Sequence, residues 1–285
     1  MENFEVNECS DTEVVKELFK EYSQIKGAES CFVSFDKELA DLEAFYGGGA
    51  FLVGYEDNNP VACIAIKKLN DNTCEAKRLF IKPEYRGKGY ARTLMEEILK
   101  DYEGKVDGIY LFANDSVLEF YPKFGFKEAK EYQYTKEVSS SNECKAEMVP
   151  LKDKKDFDRI VEVLDKTSQN AKLYMVDNTG LYMFYLSQFM TENLFYIADC
   201  NSYSIAEIDD DTLILHAIIG DGTVDDVISA FGSKVKKVVL CFTPKDTHGF
   251  EKSELHEEDT TFFVKGKFFE DSSNEEYMMQ AITHA

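Results

Sequence analysis

The residues with the clearest chemical content are Arg86-Gly87-Lys88-Gly89-Tyr90-Ala91. Glycines at 87 and 89 permit positive φ and let the backbone come close to an anion. A helix starting there presents unpaired N–H groups and the positive end of its dipole. Arg86 and Lys88 add full charges. Together these features form a socket for a pyrophosphate. Composition sharpens the point. The chain has a net charge of −22 and four arginines, of which Arg78, Arg86 and Arg92 all fall in the stretch 74–99. From Val61 to Arg92 there are eight Lys and Arg against three Asp and Glu. A solvated basic loop is the ordinary meaning of a charge run. Glycines on both sides of Lys88, directly after a strand pattern and Pro83, favour the socket.

The pattern around this loop predicts how it is positioned. Residues 73–82 read as a strand leading into it. Ala91, Leu94, Met95, Ile98 and Leu99 form one apolar helical face leading out of it. Upstream, Ser10 or Asp11 can cap a helix with apolar positions 14, 15, 18, 19 and 22. A second helix is expected near 36–46, ended by Gly47-Gly48-Gly49. Strands are expected at 51–55 and 61–69, with a turn at 56–60. Downstream come a strand at 108–112, a short helix at 117–121 capped by Ser116 and ending near Pro122, and strand and turn at 124–134. Ser139-Ser140-Ser141-Asn142 reads as a flexible linker. Residues 143–285 then repeat the order: helices at 152–165 and 181–190, strands at 195–198, 204–207 and 212–219, a helix at 224–231, and strands at 235–242 and 261–264. The repetition suggests an internal duplication. Where the first half has its basic loop, the second has Gly220-Asp221-Gly222-Thr223. A carboxylate there would repel a phosphate, so the second half should lack the socket.

At 285 residues and 44% apolar content, one large domain or two medium ones can bury real cores. No apolar run is long enough to span a bilayer and no leader pattern precedes the first helix, which places the protein in the cytoplasm as an expectation. The seven cysteines are odd in number and form no CxxC pair. Cys74 is read as structural. His216, His248, His256 and His284 show no metal-ligand spacing, so no metal is assigned. The negative charge argues against nucleic acid and anionic membrane as partners and would suit a cationic or amine substrate. A nucleotide-binding P-loop is a poor reading because no G-x-x-x-x-G-K-[ST] is present.

The chain resembles the GNAT superfamily of acyl-CoA-dependent N-acetyltransferases. Arg86-Gly87-Lys88-Gly89-Tyr90-Ala91 matches the family's Q/R-x-x-G-x-G/A signature. Glu75 to Ile81 resembles the strand before it, and Ala113-Asn114, Phe120-Tyr121 and Phe124-Gly125-Phe126 resemble its later motif. The resemblance covers the first half well and rests on element order in the second. It implies two tandem α/β domains with mixed, mostly antiparallel sheets flanked by helices. These are residues 1–138 with an acetyl-CoA site and 143–285 as a degenerate copy without the cofactor loop.

The resemblance also implies roles. Arg86, Gly87, Lys88, Gly89, Tyr90 and Ala91 should hold the pyrophosphate of acetyl-CoA, the co-substrate, and Asn114 should touch it. The backbone of Leu79, Phe80 and Ile81 should pair with the pantetheine amides, on a strand splayed open by a bulge. The reaction would be acyl transfer to an amine, with a proton removed from the amine and one given to the leaving thiolate. Tyr121 is the candidate acid. Glu75, an even four residues before Leu79, is the candidate base. Other roles stand beside these: core packing for Tyr121, a solvated strand carboxylate or a partner for Lys77 or Arg78 in the case of Glu75, and a cap for Asn114. The competing function is a non-catalytic acyl-CoA-binding or scaffold protein of duplicated fold. The amine acceptor is unidentified; residues 22–45 and 127–135 are where it is expected to bind. The second half either walls the acceptor pocket or makes a homodimer contact.

Overall fold

A computed structural model describes residues 3–26, 35–151, 154–164, 170–174, 179–272 and 275–284. Its compact units are Met1–Val106 and Asp107–Ala285.

The first unit runs β1 (Phe4–Glu8), α1 (Thr12–Ser23), α2 (Phe35–Ala40), α3 (Leu42–Tyr46), β2 (Ala50–Glu56), β3 (Asn59–Lys68), β4 (Cys74–Ile81) and α4 (Tyr90–Tyr102). The sheet order is β1-β2-β3-β4, antiparallel throughout. β3 is buried from Val61 to Ile66, because helices cover both faces of the sheet. Val15, Leu18, Phe19, Leu42 and Tyr46 pack on Val53, Cys63, Ala65 and Phe80, while Leu94, Met95 and Ile98 are the buried face of α4. Asp11 is the cap of α1, accepting from the Glu13 N–H at 3.1 Å. The helix expected at 36–46 is two helices, because Asp41 turns extended and caps α3 through the Ala44 N–H. The sequence pattern does not announce β1. It is short and polar, yet Phe4 lies over Gly54, where a Cβ would meet its ring at 2.4 Å.

The second unit carries β5 (Ile109–Ala113), β6 (Lys127–Glu128), β7 (Tyr132–Glu137), β8 (Glu147–Met148), α5 (Lys154–Leu164), α6 (Thr179–Gln188), β9 (Leu194–Ile197), β10 (Ser202–Asp209), β11 (Thr212–Gly220), α7 (Val224–Phe231), β12 (Lys237–Leu240), β13 (Glu251–Glu254), β14 (Thr261–Lys265) and α8 (Lys267–Asp271). Lys152, Asp153 and Asp165 of the expected helix 152–165 lie outside the described residues. The fold is mixed α/β with mostly antiparallel sheets, and its element order runs twice. β1, α1, α2–α3, β2, β3, β4, α4 and β5 are echoed by β8, α5, α6, β9, β10, β11, α7 and β12.

The strands that follow are exchanged between the halves. A seven-stranded sheet has the order β13-β7-β12-β11-β10-β9-β8, and a three-stranded sheet has the order β5-β14-β6. β14 thus fills between β5 and β6 the slot that β7 fills between β12 and β13. Compact division therefore falls at 106/107, whereas the sequence places it between 138 and 143. The run 139–142 is not slack either. The Ser233 N–H bonds Asn142 O at 2.9 Å, and a Cβ on Gly232 would meet that same oxygen at 2.6 Å.

The helix expected at 117–121 is absent. Single 3-10 turns occupy Asp115–Val117 and Tyr121–Phe124 instead. Pro122 donates no N–H and suits the first turn of a helix, so it sits as the second residue of the later turn. The first is capped by Asn114, which accepts from the Ser116 N–H, and not by Ser116.

Candidate active site

β4 is an edge strand and leads into the glycine loop. Its ladder with β3 pairs Ala65 with Lys77 and Cys63 with Phe80. Ile64 alone therefore faces both Arg78 and Leu79, a β-bulge. Arg78 takes φ +61° to make it, a conformation a non-glycine residue adopts only when its surroundings hold it. The surroundings here are specific. The guanidinium is buried and forked onto Glu38 of α2, with Nε 3.0 Å from Oε1 and a second bond to Oε2. The Tyr46 hydroxyl donates to the same carboxylate at 2.6 Å. Burial first, and then that bond, push the Tyr46 pKa far up. The Cys63 thiol donates to the Arg78 carbonyl at 3.6 Å. Bulge and clamp leave the outer edge of Leu79, Phe80 and Ile81 without a partner strand among the described residues. Sequence reasoning missed Glu38, although it lies at helical spacing between Phe35 and Leu42, on an apolar stripe.

The bulge also changes the reading of Glu75. In a regular strand Glu75 would share its face with Leu79 and Ile81. The extra residue shifts the alternation by one, so Glu75 and Lys77 share a face with Phe80. Glu75 Oε1 takes the Lys77 ammonium at 2.6 Å on the exposed side. Its Oε2 has no hydrogen-bond partner among the described residues. Tyr22, in the stretch expected to face the acceptor, stacks on Phe80 at 5.1 Å. Residues 27–34 of that stretch lie outside the described residues.

After Ile81 the chain makes a turn at Pro83–Tyr85 and Arg86 bonds back to Ile81 O through Nε at 3.2 Å. Gly87 and Gly89 have φ +81° and +91°, and a Cβ on either would meet nothing within 4 Å. Their backbone conformation, and not crowding, calls for glycine, and the space above them is open. Gly89 is the N-cap of α4 and has no side chain to cap it. Thr93 is the first N–H to bond back, to Gly89 O at 3.2 Å, and the N–H groups of Ala91 and Arg92 have no side-chain acceptor among the described residues. A helix start of this kind can receive an anion. Lys88 is less available than its sequence suggests. Its ammonium sits 2.7 Å from Glu56 Oε1, the oxygen that also accepts from Tyr90 Oη at 2.6 Å. Glu56 is buried, and Phe4 stacks on the Tyr90 ring at 3.7 Å. Glu56, at the last position of β2, has no signal in the sequence.

The helix in the corresponding place of the second half starts differently. α7 begins at a complete capping box: Asp226 N–H donates to Thr223 Oγ1 at 3.1 Å and Thr223 N–H to Asp226 Oδ2 at 3.0 Å. Gly222 is tied down as well, its N–H on Ser202 Oγ at 2.7 Å and its carbonyl on Asn170 Nδ2 at 2.9 Å. Two shallow hollows of about 160 and 300 Å³ lie beside α7, lined by Ser229 and Asp226 or Asp225. They are open surface depressions.

In the second unit, Asn114 is committed as a cap to Ser116. Tyr121 opens its 3-10 turn with its ring against Phe120, Phe126 and Phe263, at 5.3, 6.0 and 5.9 Å. Its hydroxyl has no hydrogen-bond partner among the described residues. Burial raises its pKa above the ordinary phenol value, so it keeps its proton through the neutral range.

The family model of the acetyltransferase (GNAT) domain matches residues 47–128, from the end of α3 to β6. An uncharacterized N-acetyltransferase of Schizosaccharomyces pombe is 32% identical over 133 residues, which is 44% of this chain and 81% of that protein. Among solved structures, an Enterococcus faecalis protein of unknown function described as a probable N-acyltransferase superposes with a TM-score of 0.58 at 17% identity, covering 93% of this chain and 72% of its own. Eis1 of Mycobacterium abscessus superposes at 0.55 with 10% identity, covering 91% and 73%. These two likenesses are of fold. Together with the glycine loop, the bulged strand and the sequence relative, they establish that the chain belongs to the GNAT superfamily of N-acetyltransferases.

Proposed function

We propose that this protein transfers an acetyl group from acetyl-CoA to a primary amine of a small molecule or peptide. The observation that carries the reading is the contrast between α4, which starts on a bare glycine, and α7, which is capped by its own side chains. The first offers glycine backbone and basic side chains to a pyrophosphate, whereas the second already uses a first-turn N–H in its own capping box and carries Asp225 and Asp226 there. In the proposal, the N–H groups of Gly87, Gly89, Tyr90 and Ala91 hold that group with Arg86. Lys88 contributes as one end of the Glu56 pair. The outer edge of Leu79, Phe80 and Ile81 bonds the pantetheine amides. Asn114 touches the cofactor through its amide nitrogen, its oxygen being taken.

For the chemistry, the amine must arrive at the thioester without its proton and the thiolate must leave with one. Tyr121 is the proposed donor, since burial keeps it protonated. Glu75 is the proposed base, acting through a water on Oε2 because Oε1 carries Lys77. Residues 143–285 are then a degenerate copy kept without a cofactor site, and the protein acts in the cytoplasm. The Lys77–Glu75 pair favours a second reading, an acyl-CoA-binding protein without turnover. Thiol release from acetyl-CoA across an amine panel separates the two. Release with at least one amine, reduced in Tyr121→Phe, supports the enzyme. Tight acetyl-CoA binding with no release for any amine leaves the second reading.

A further inference from the structure

The hydroxyl of Tyr121 is aimed by its turn, not by a bond of its own, so whatever fixes the turn decides where the proton goes. That turn is gripped by residues from the far half of the sequence. Lys265, the last residue of β14, donates from Nζ to the Phe124 carbonyl at 2.6 Å, across 141 residues of sequence. Phe124 closes the 3-10 turn that Tyr121 opens, and Gly125 leaves it at φ +80° with its N–H on Pro122 O at 3.0 Å. The ammonium therefore sits on the carbonyl end of the turn, where a cation is favoured. It also lies over the bare face of Gly125, 3.2 Å from where a Cβ would stand. Phe263, two residues earlier and so on the same face of the strand, holds the Tyr121 ring from the side. At the other end of the segment, Asp259 Oδ1 takes the Asp115 N–H at 2.7 Å.

We propose that Lys265 is a positioning residue for Tyr121, supplied to the first half's chemistry by the exchanged strand β14. The inference rests on the reading of Tyr121 as the proton donor. It gives the degenerate half a reason to persist, since that half has lost its own anion site and retains the strand that aims the donor.

The test uses the full chain with Lys265→Met, Lys265→Arg, Tyr121→Phe and the double variant Lys265→Met/Tyr121→Phe. Lys265→Met should lower kcat about tenfold, as expected for a slightly misplaced catalytic group. KM for acetyl-CoA should stay within about twofold, because the proposed binding loop is elsewhere. In the Tyr121→Phe background the same change should cost nothing more, since both act through one group. Amide exchange in Lys265→Met should speed up at residues 124–126 while the melting temperature holds. Lys265→Arg keeps a donor and should hold kcat and exchange within about threefold of the parent; it carries the comparison if the Met variant fails to fold. Unchanged exchange at 124–126 in Lys265→Met, or an additive loss in the double variant, overturns the positioning role alone. A Tyr121→Phe variant as active as the parent overturns the donor reading and this inference with it.

Discussion

Substituting Gly89 by aspartate tests the anion site most directly. Gly89 stands at φ +91° with open space where a Cβ would go, so the cost in the folded state is conformational. Holding an L-residue in the left-handed region costs roughly 1–2 kcal/mol, least for Asn and Asp. That corresponds to a fall of several degrees in Tm and leaves the protein folded. Binding should suffer more. If the new side chain stays in place, its carboxylate lies at the mouth of the helix, about 5 Å from a bound phosphate. One such pair repels by roughly 1–3 kcal/mol at an effective dielectric between bulk water and protein surface. If the residue flips to an extended cap, it takes up a first-turn N–H group as Thr223 does in α7, and the anion loses it. Either route predicts a rise in the Kd for CoA of about 5- to 150-fold, measured by titration calorimetry. The penalty should shrink as salt rises, because the charges are exposed. Gly89→Asn carries the same backbone strain without the charge and should bind more tightly than Gly89→Asp. A Kd for Gly89→Asp within twofold of the parent, with the fold intact, would refute the helix start as the phosphate site.

Four further outcomes follow from the same geometry. Glu38→Gln leaves the buried Arg78 guanidinium without its counter-charge and should cost about 3–5 kcal/mol in denaturant unfolding; a loss below about 1 kcal/mol would mean the bulge needs no clamp. Tyr121→Phe should lower kcat on the order of 100-fold. Burial raises the Tyr121 pKa, so the protonated donor persists and the basic limb of the parent's kcat profile should lie above the ordinary tyrosine value of about 10. A fragment ending at residue 138 exposes β5 and β6 without β14, and β7 without β12 and β13; its thermal transition by circular dichroism should lie well below that of the full chain. His284 lies between Glu131 and Glu257, 3.6 Å from the first and 2.8 Å from the second. Burial alone would lower its pKa, but the two carboxylates outweigh it and raise it. This stabilisation is full below the unfolded value of about 6.5 and is lost as pH rises through the folded value. Tm should fall across that window in the parent and stay flat in His284→Ala.

What can be read from sequence is local in cause. The socket is legible because each of its parts acts over a few residues. Gly87 and Gly89 are needed for their own φ angles, Arg86 bonds back only to Ile81, and α4 shows its face in the spacing of Leu94, Met95 and Ile98. The closed start of α7 is half legible: the sequence offers Asp221 as the repelling group, whereas the closure is the Thr223–Asp226 box three residues wide. Motif matching finds Asn114 and Tyr121, and the capping role open to Asn114 is the one it takes, but Tyr121 is set at the end of a helix when it begins a turn, because Pro122 reads as a stop.

The pairings that give these residues their setting lie beyond the sequence. Nothing in the residues around Arg78 says that an arginine will sit at positive φ, because what holds it there is Glu38, forty residues away and buried by a helix packing on the sheet. Nothing in β7 or β14 names its neighbours. Each is a short strand that fits a slot between two antiparallel neighbours, and each half of the fold offers such a slot. Hydrogen bonds along a strand edge are alike for every partner, so sequence determined that these segments would be strands. Which sheet each one completes was decided by tertiary packing, where Phe263 meets Tyr121 and Tyr134 enters the core beside Val238 and Leu240.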